Sequence, residues 1–132
     1  MSQDKINTFA DVTEDSQWIH LDAKRAAEES PYKKTIAHGF LVLSYASQIT
    51  FRTLKLNNIK LAINYGLDKV RFPNATPSDS YFRGRVSLIE FEEIPGGVKY
   101  KLNIVFEVKG ETKPVCVAET LSLVYSSSEE KT

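Results

Sequence analysis

The stretch from Ala37 to Leu56, AHGFLVLSYASQITFRTLKL, most limits the shapes open to this chain. Phe40, Leu41, Val42, Leu43, Tyr45, Ala46 and Ile49 cover nearly every face of the first three turns of a helix, while Arg52, Thr53 and Lys55 gather in the last turns. A helix that is apolar all round at one end belongs in an interior at that end. At about 1.5 Å per residue it would run roughly 27–30 Å, enough to cross a small domain. As a strand the same segment would be unusually long.

After Asn57-Asn58 the apolar period changes. Ile59–Tyr65 and Lys69–Phe72 read as two short strands around Gly66-Leu67-Asp68. Phe82–Glu93 reads as a longer strand whose apolar phase slips between Leu88 and Ile89, the mark of a bulge. Ile94-Pro95-Gly96-Gly97 is a turn, and Val98, Tyr100, Leu102, Ile104, Phe106 and Val108 then alternate with mostly polar residues, the cleanest strand signal in the chain. A second turn at Lys109-Gly110-Glu111 leads to a last strand, Val115–Tyr125, and Ser126–Thr132 reads as a frayed polar tail. A sheet with one apolar face needs a cover, and the helix is the large apolar object available. The pattern therefore predicts an α+β domain in which a curved antiparallel meander wraps a long central helix.

Upstream, Thr8-Phe9-Ala10-Asp11 has the form of a capping box, with Asp11 in place of Glu, and predicts a short helix running to about Asp15. Asp22 is placed to cap a second helix, Ala23–Glu29, and Ser30-Pro31 ends it because a residue before proline avoids the α region. With 132 residues and no internal linker, residues 1–132 are expected to form one domain. A chain this short buries only about two-thirds of its unfolded surface, so pairing with a second copy would help it. Lys plus Arg and Asp plus Glu both number 17, and this balance argues against a nucleic-acid platform, which depends on excess positive charge. No apolar run is long enough to span a membrane, and the first residues lack the apolar core of a signal peptide. One cysteine, Cys116, cannot form an internal disulfide, so a reducing, cytoplasmic compartment is the default expectation.

Histidine is scarce: only His20 and His38. Asp15 precedes His20 by five residues, and a helix ending near Asp15 would let the two side chains converge on one point. A carboxylate and an imidazole sharing a water can take a proton from it and return one elsewhere, the imidazole titrating near neutral pH. A pair at this spacing also arises by chance, with the histidine as a structural group. Gly39 enters the buried helix with no side chain to shield its N–H. The first N–H groups of a helix lack partners and carry partial positive charge, so a carbonyl oxygen gaining negative charge would be stabilised there. The alternative is a glycine that merely serves a tight helix entrance.

Three strings, TEDSQWIHLD, SPYKKTIAHGFLVLS and NYGLDKVRFP, in this order, resemble the MaoC-like dehydratase family, which includes the (R)-specific enoyl-CoA hydratases. The resemblance implies a hotdog fold, usually paired as a homodimer. It implies reversible addition of water to a trans-2-enoyl thioester of coenzyme A or acyl carrier protein, a hydro-lyase reaction with no cofactor. The family's catalytic Asp and His fall on Asp15 and His20, its backbone donor for the thioester oxygen on Gly39, and a helix serine near the site on Ser47. Short hydratases carry Asn-Pro where this chain has Gln17-Trp18, while another branch carries Gln-Trp-Ile-His as here; the departure bears on acyl preference, and Trp18 is expected to anchor packing beside the pair and to shape the acyl pocket.

His38 is expected to be a hydrogen-bonding support for the loop before Gly39, Asp22 a helix cap, and Cys116 no nucleophile, having no histidine beside it. Lys69, Arg71, Arg83 and Arg85 read as a solvated strand face. Two histidines eighteen residues apart without a carboxylate pattern make a poor metal site, so no metal is expected. Hotdog domains also host thioesterases, and a non-catalytic acyl-CoA-binding module is a further alternative.

Overall fold

The computed structural model describes residues 1–127. Helices α1 (Gln3–Thr13), α2 (Trp18–Leu21), α3 (Ala23–Glu29), α4 (Gly39–Ser44) and α5 (Ala46–Thr53) precede strands β1 (Ile59–Arg71), β2 (Phe82–Ile94), β3 (Gly97–Val108) and β4 (Cys116–Ser126). Of the expected frayed tail, Ser126 closes β4 and the Ser127 N–H donates to the Asn58 carbonyl at 2.9 Å; residues 128–132 lie outside the described residues.

The alternation along β3 fixes the core. Tyr100, Leu102, Ile104, Phe106 and Val108 are buried on one face, and Leu41 and Val42 of α4 pack with them together with Val115, Cys116 and Ala118. The second helical piece settles onto β2 at Gly84, where a Cβ would stand only 2.8 Å from the Ile49 side chain. Burial of this apolar face supplies the main driving force for folding, at about 25 cal/mol per Å² removed from water.

The sheet order is β1-β4-β3-β2 with all neighbours antiparallel. Strands β2, β3 and β4 form the predicted meander, but β1 does not pair with β2. The connection after β1 carries the chain back across the molecule, where Ile36 bridges Pro77 and the Ser78 N–H reaches the Thr35 carbonyl at 2.9 Å. The expectation of two short strands is also corrected. Register shifts between Asn64 and Gly66 and between Leu67 and Lys69 absorb the turn-like Gly66-Leu67-Asp68 into one continuous β1. In β2 the shift falls between Leu88 and Glu90, where the phase slip placed it. These bulges bring Asp68 and Glu90 to Lys101 of β3, at 2.6 Å and 3.5 Å, and the Asp68 hydrogen bond holds the Lys101 ammonium above its usual pKa.

The central helix differs from its expected form. It runs from Gly39 to Thr53 rather than from Ala37 to Leu56, and it breaks at Tyr45 into α4 and α5. The Ser44 hydroxyl donates to the Phe40 carbonyl at 2.6 Å, a back-bond within the helix that favours bending. Nor is its start buried all round: Phe40 is 70% exposed, as is Phe51 farther on at 73%. The first helix is longer than expected. Ser2 caps it by accepting from the Lys5 N–H, and Thr8, read as a cap, lies inside it with its hydroxyl on the Asp4 carbonyl at 2.9 Å. Asp22 does cap α3, accepting from the Arg25 N–H at 3.0 Å.

Candidate active site

Helix α1 ends at Glu14 in the left-handed conformation, φ 61°, which turns the chain sharply before Asp15. Residues 15–17 are irregular, and the single turn of α2 then brings His20 back toward the start of α4. One carboxylate oxygen of Asp15 and one ring nitrogen each of His20 and His38 lie within 4.8 Å of one another. The two residues singled out by spacing therefore do meet, and they meet beside the helix entrance.

His20 is 6% exposed and firmly set. Its Nδ1 lies 2.7 Å from the Ile36 carbonyl. A carbonyl only accepts, so Nδ1 carries the hydrogen, and in the neutral ring Nε2 keeps its lone pair. The Gln3 side chain donates to the His20 carbonyl at 2.8 Å, and its other end takes a hydrogen bond from the Thr35 hydroxyl at 2.6 Å. Burial pushes the His20 pKa below the ordinary imidazole value, with the nearby His38 adding to the depression; the bond to Ile36 and the Asp15 carboxylate oppose it. His20 is thus a neutral base at pH 7 with its donor side already committed.

Gly39 is the first residue of α4, and its N–H is not taken by any partner among the described residues. A cavity of about 340 Å³ is lined by His20, Ala37, Gly39, Val42, Phe72 and Thr76, among others, and so connects the imidazole to this open helix end. A Cβ at Gly39 would stand 3.1 Å from the Phe72 ring, so the position has no room to spare. Asp15 is not part of this lining; its side chain is 52% exposed.

His38, just before Gly39, is 3% exposed, and its side chain ties this loop to the main chain of Asp15. Its Nε2–H donates to the Asp15 carbonyl at 3.0 Å, and its ring stacks on that of His20 with centroids 3.7 Å apart and planes 21° apart. The three-residue cluster of Asp15, His20 and His38 was not foreseen from the histidine spacing. As a metal site it is poorly aimed. Stacked rings direct their in-plane lone pairs side by side rather than to one ion.

The weaker site residues fall elsewhere. Trp18 lies under the Arg25 guanidinium, 4.3 Å from its ring centroid, and is outside the His20–Gly39 cavity, so it anchors packing without shaping that cavity. Ser47 is two turns along the helix, accepting from Asn64 Nδ2 at 3.1 Å, and lines a different cavity of about 600 Å³ between α5 and β1. Cys116 is fully buried, and burial pushes its thiol up to about 11, well away from any nucleophilic role. Arg83 and Arg85 both pair with Glu107, at 3.3 Å and 2.7 Å.

A helix laid across an antiparallel sheet, with a carboxylate and an imidazole brought together near its N-terminus, is the architecture of a hotdog-fold domain. The chain belongs to the MaoC-like dehydratase family: the MaoC like domain matches residues 1–104, as the three strings implied. It is 43% identical over 122 residues to 3-hydroxyacyl-thioester dehydratase Z of Mycobacterium tuberculosis, covering 92% of this chain and 80% of the relative. It is 36% identical over 126 residues to nodulation protein N of Rhizobium leguminosarum bv. viciae, covering 94% and 78%. Among solved structures, the (R)-hydratase from A. caviae involved in PHA biosynthesis superposes with a TM-score of 0.78 at 20% identity, over 92% of this chain and 86% of that one, a likeness of fold. The dehydratase relative bears out the expectation of a hydro-lyase. No helix among the described residues is long and apolar enough to cross a membrane.

Proposed function

We propose that this protein hydrates trans-2-enoyl thioesters, and in reverse dehydrates (R)-3-hydroxyacyl thioesters, with Asp15 and His20 as its catalytic pair. One observation carries the reading: the Ile36 carbonyl fixes the hydrogen on His20 Nδ1, leaving the Nε2 lone pair beside a carboxylate and a shared cavity with Gly39. Water sits between the two groups, and Asp15 orients it by accepting one O–H. His20 Nε2 takes the other proton as the oxygen bonds to C3, and electrons move through C2 to the thioester oxygen. That oxygen gathers negative charge at the Gly39 N–H, and the imidazolium then returns a proton to C2. Asp15 stays ionised throughout, and His20 ends neutral.

The thioester is carried on coenzyme A or an acyl carrier protein. Farther along the same helix, the cavity of about 600 Å³ lined by Ser47, Thr50, Phe51, Leu54, Ile63 and other residues gives an acyl tail apolar room. A homodimer fits the surface, because Leu61, Ile63, Tyr65 and Leu67 stand 39–58% exposed on the unpaired edge strand β1. A cytoplasmic setting fits a lone cysteine held as a buried thiol.

The test is hydration of crotonyl-CoA, followed as loss of enoyl absorbance, with free thiol measured alongside. Asp15→Asn and His20→Gln should each lower kcat by at least about 10³ with unchanged circular dichroism, since both touch the reacting water. Wild-type hydration by the double variant would overturn the reading, and thiol release without hydration would reassign the site to thioester hydrolysis.

A further inference from the structure

We infer that His38 is a positioning residue for this chemistry, its Nε2–H tying down the main chain of Asp15 while its ring face backs the imidazole of His20. The inference rests on the reading of Asp15 and His20 given above. Asp15 needs such support. It follows the left-handed end of α1, lies in irregular chain, and its carboxylate is half exposed and takes no hydrogen bond from a side chain among the described residues. The tether that holds it comes from His38, twenty-three residues away in sequence, at 3.0 Å.

Two further observations separate this role from plain packing. His38 is the N-cap residue of α4, yet its side chain makes no capping bond, so its ring is free for other use. With the hydrogen on Nε2, its Nδ1 is left an acceptor, and that atom is buried with no partner. A buried unpaired acceptor is unfavourable, and a phenylalanine or leucine would fill the space without one. What the imidazole alone supplies is a donor at the Nε2 position together with a flat face. Both are in use: the donor on Asp15, the face on His20 at 3.7 Å, with Phe9 closing the far side at 4.9 Å. One ring thereby sets the spacing between the two groups that hold the water.

The experiment uses the full chain and crotonyl-CoA. His38→Phe keeps the stacked face and loses the donor; His38→Gln places an amide N–H near the old Nε2. The phenylalanine variant should lose at least about tenfold in kcat with KM changed less than about twofold, because a misplaced water, not a lost substrate contact, is the defect. The glutamine variant should recover to within about threefold of wild type. Wild-type kcat in His38→Phe, or glutamine no better than phenylalanine, overturns the inference. Should His38→Phe not fold, His38→Asn, whose amide is too short to reach, replaces it with the same two outcomes. In an Asp15→Asn background, His38→Phe should cost no further activity; a full additional loss there would show that His38 acts elsewhere and would overturn the inference. Wild-type turnover by Asp15→Asn alone would instead bring down the proposed function, and this inference with it.

Discussion

Around His20 the chain grips one ring from several directions: the Ile36 carbonyl at Nδ1, Gln3 at the main-chain oxygen, and the face of His38. Along β1 it leaves apolar side chains standing in the open on a strand with one unpaired edge. The two regions are joined by the same helix, and their contrast matches what each is proposed to do. Proton transfer needs reacting atoms fixed to a fraction of an ångström, and a single chain achieves that only by burying and bonding the groups concerned. An edge that receives a second copy, or a cavity that receives a flexible acyl tail, needs apolar surface and shape, and is finished only when the partner arrives. Perturbing the first region should therefore change rate at constant assembly, and perturbing the second should change assembly first.

The sharpest test within the gripped region is Gly39→Ala. The new Cβ would stand 3.1 Å from the Phe72 ring, displacing it into the cavity that the thioester oxygen must enter. Alanine keeps the backbone N–H, so the defect is steric, and a fall in kcat/KM of about tenfold or more is expected as the ring and the helix entrance shift, with unchanged sedimentation. An alanine variant with wild-type kcat/KM would show that the substrate oxygen is received elsewhere.

At the open edge, Leu61→Lys and Leu67→Lys place charge where β1 is proposed to meet a second copy. Both residues are exposed in the single chain, 50% and 46%, so the monomer should keep its melting behaviour. The dimer dissociation constant, read by analytical ultracentrifugation, should rise by about tenfold or more, since burying an unpaired charge at an interface is strongly unfavourable. Unchanged association would place the interface on another face, with the β2 edge and its exposed Leu88 and Phe91 the next to examine.

The same contrast governs what could be read in advance. The meeting of Asp15 and His20 was legible because the two are close in sequence and the turn between them is local. The alternation of β3 and the slip in β2 were legible because each strand carries its own period. Three things were not. The pairing of β1 with β4 joins residues 46 to 67 positions apart, such as Leu61 and Tyr125, and nothing within either strand names its partner. Gly66-Leu67-Asp68 imitates a turn, and only the β4 ladder on its far side keeps it in a strand as a bulge. Thr8 imitates a helix cap, whereas Ser2 caps α1 six residues earlier. His38 was recognised as a support, but its target, the Asp15 carbonyl, depends on where two separate loops meet.

The smallest expected effect concerns acid. Burial is the largest influence on His20 and lowers its pKa; of the two titratable groups that face it, His38 on the stacked side adds to the lowering, while the Asp15 carboxylate, with the Ile36 carbonyl bond, raises it, and the net direction is downward. In the unfolded chain the imidazole titrates near about 6.5. Below that pH the unfolded state binds a proton that the folded state still refuses, so stability falls as pH drops toward the depressed folded value, and the contribution is complete above about 6.5. Activity follows the same sense, because the base must be neutral: kcat/KM for hydration should hold through pH 6.5 and decline only on the acid side of it. Titration of the His20 ring proton by NMR measures this directly. Asp15→Asn removes an opposing carboxylate and should move the midpoint lower, while Leu61→Lys, out on the β1 edge, should leave it where it is. A wild-type midpoint at or above 6.5 would mean that burial does not set the direction, and one that stays put or rises in Asp15→Asn would mean that the carboxylate and the imidazole do not sense each other, and the shared-water geometry would go with it.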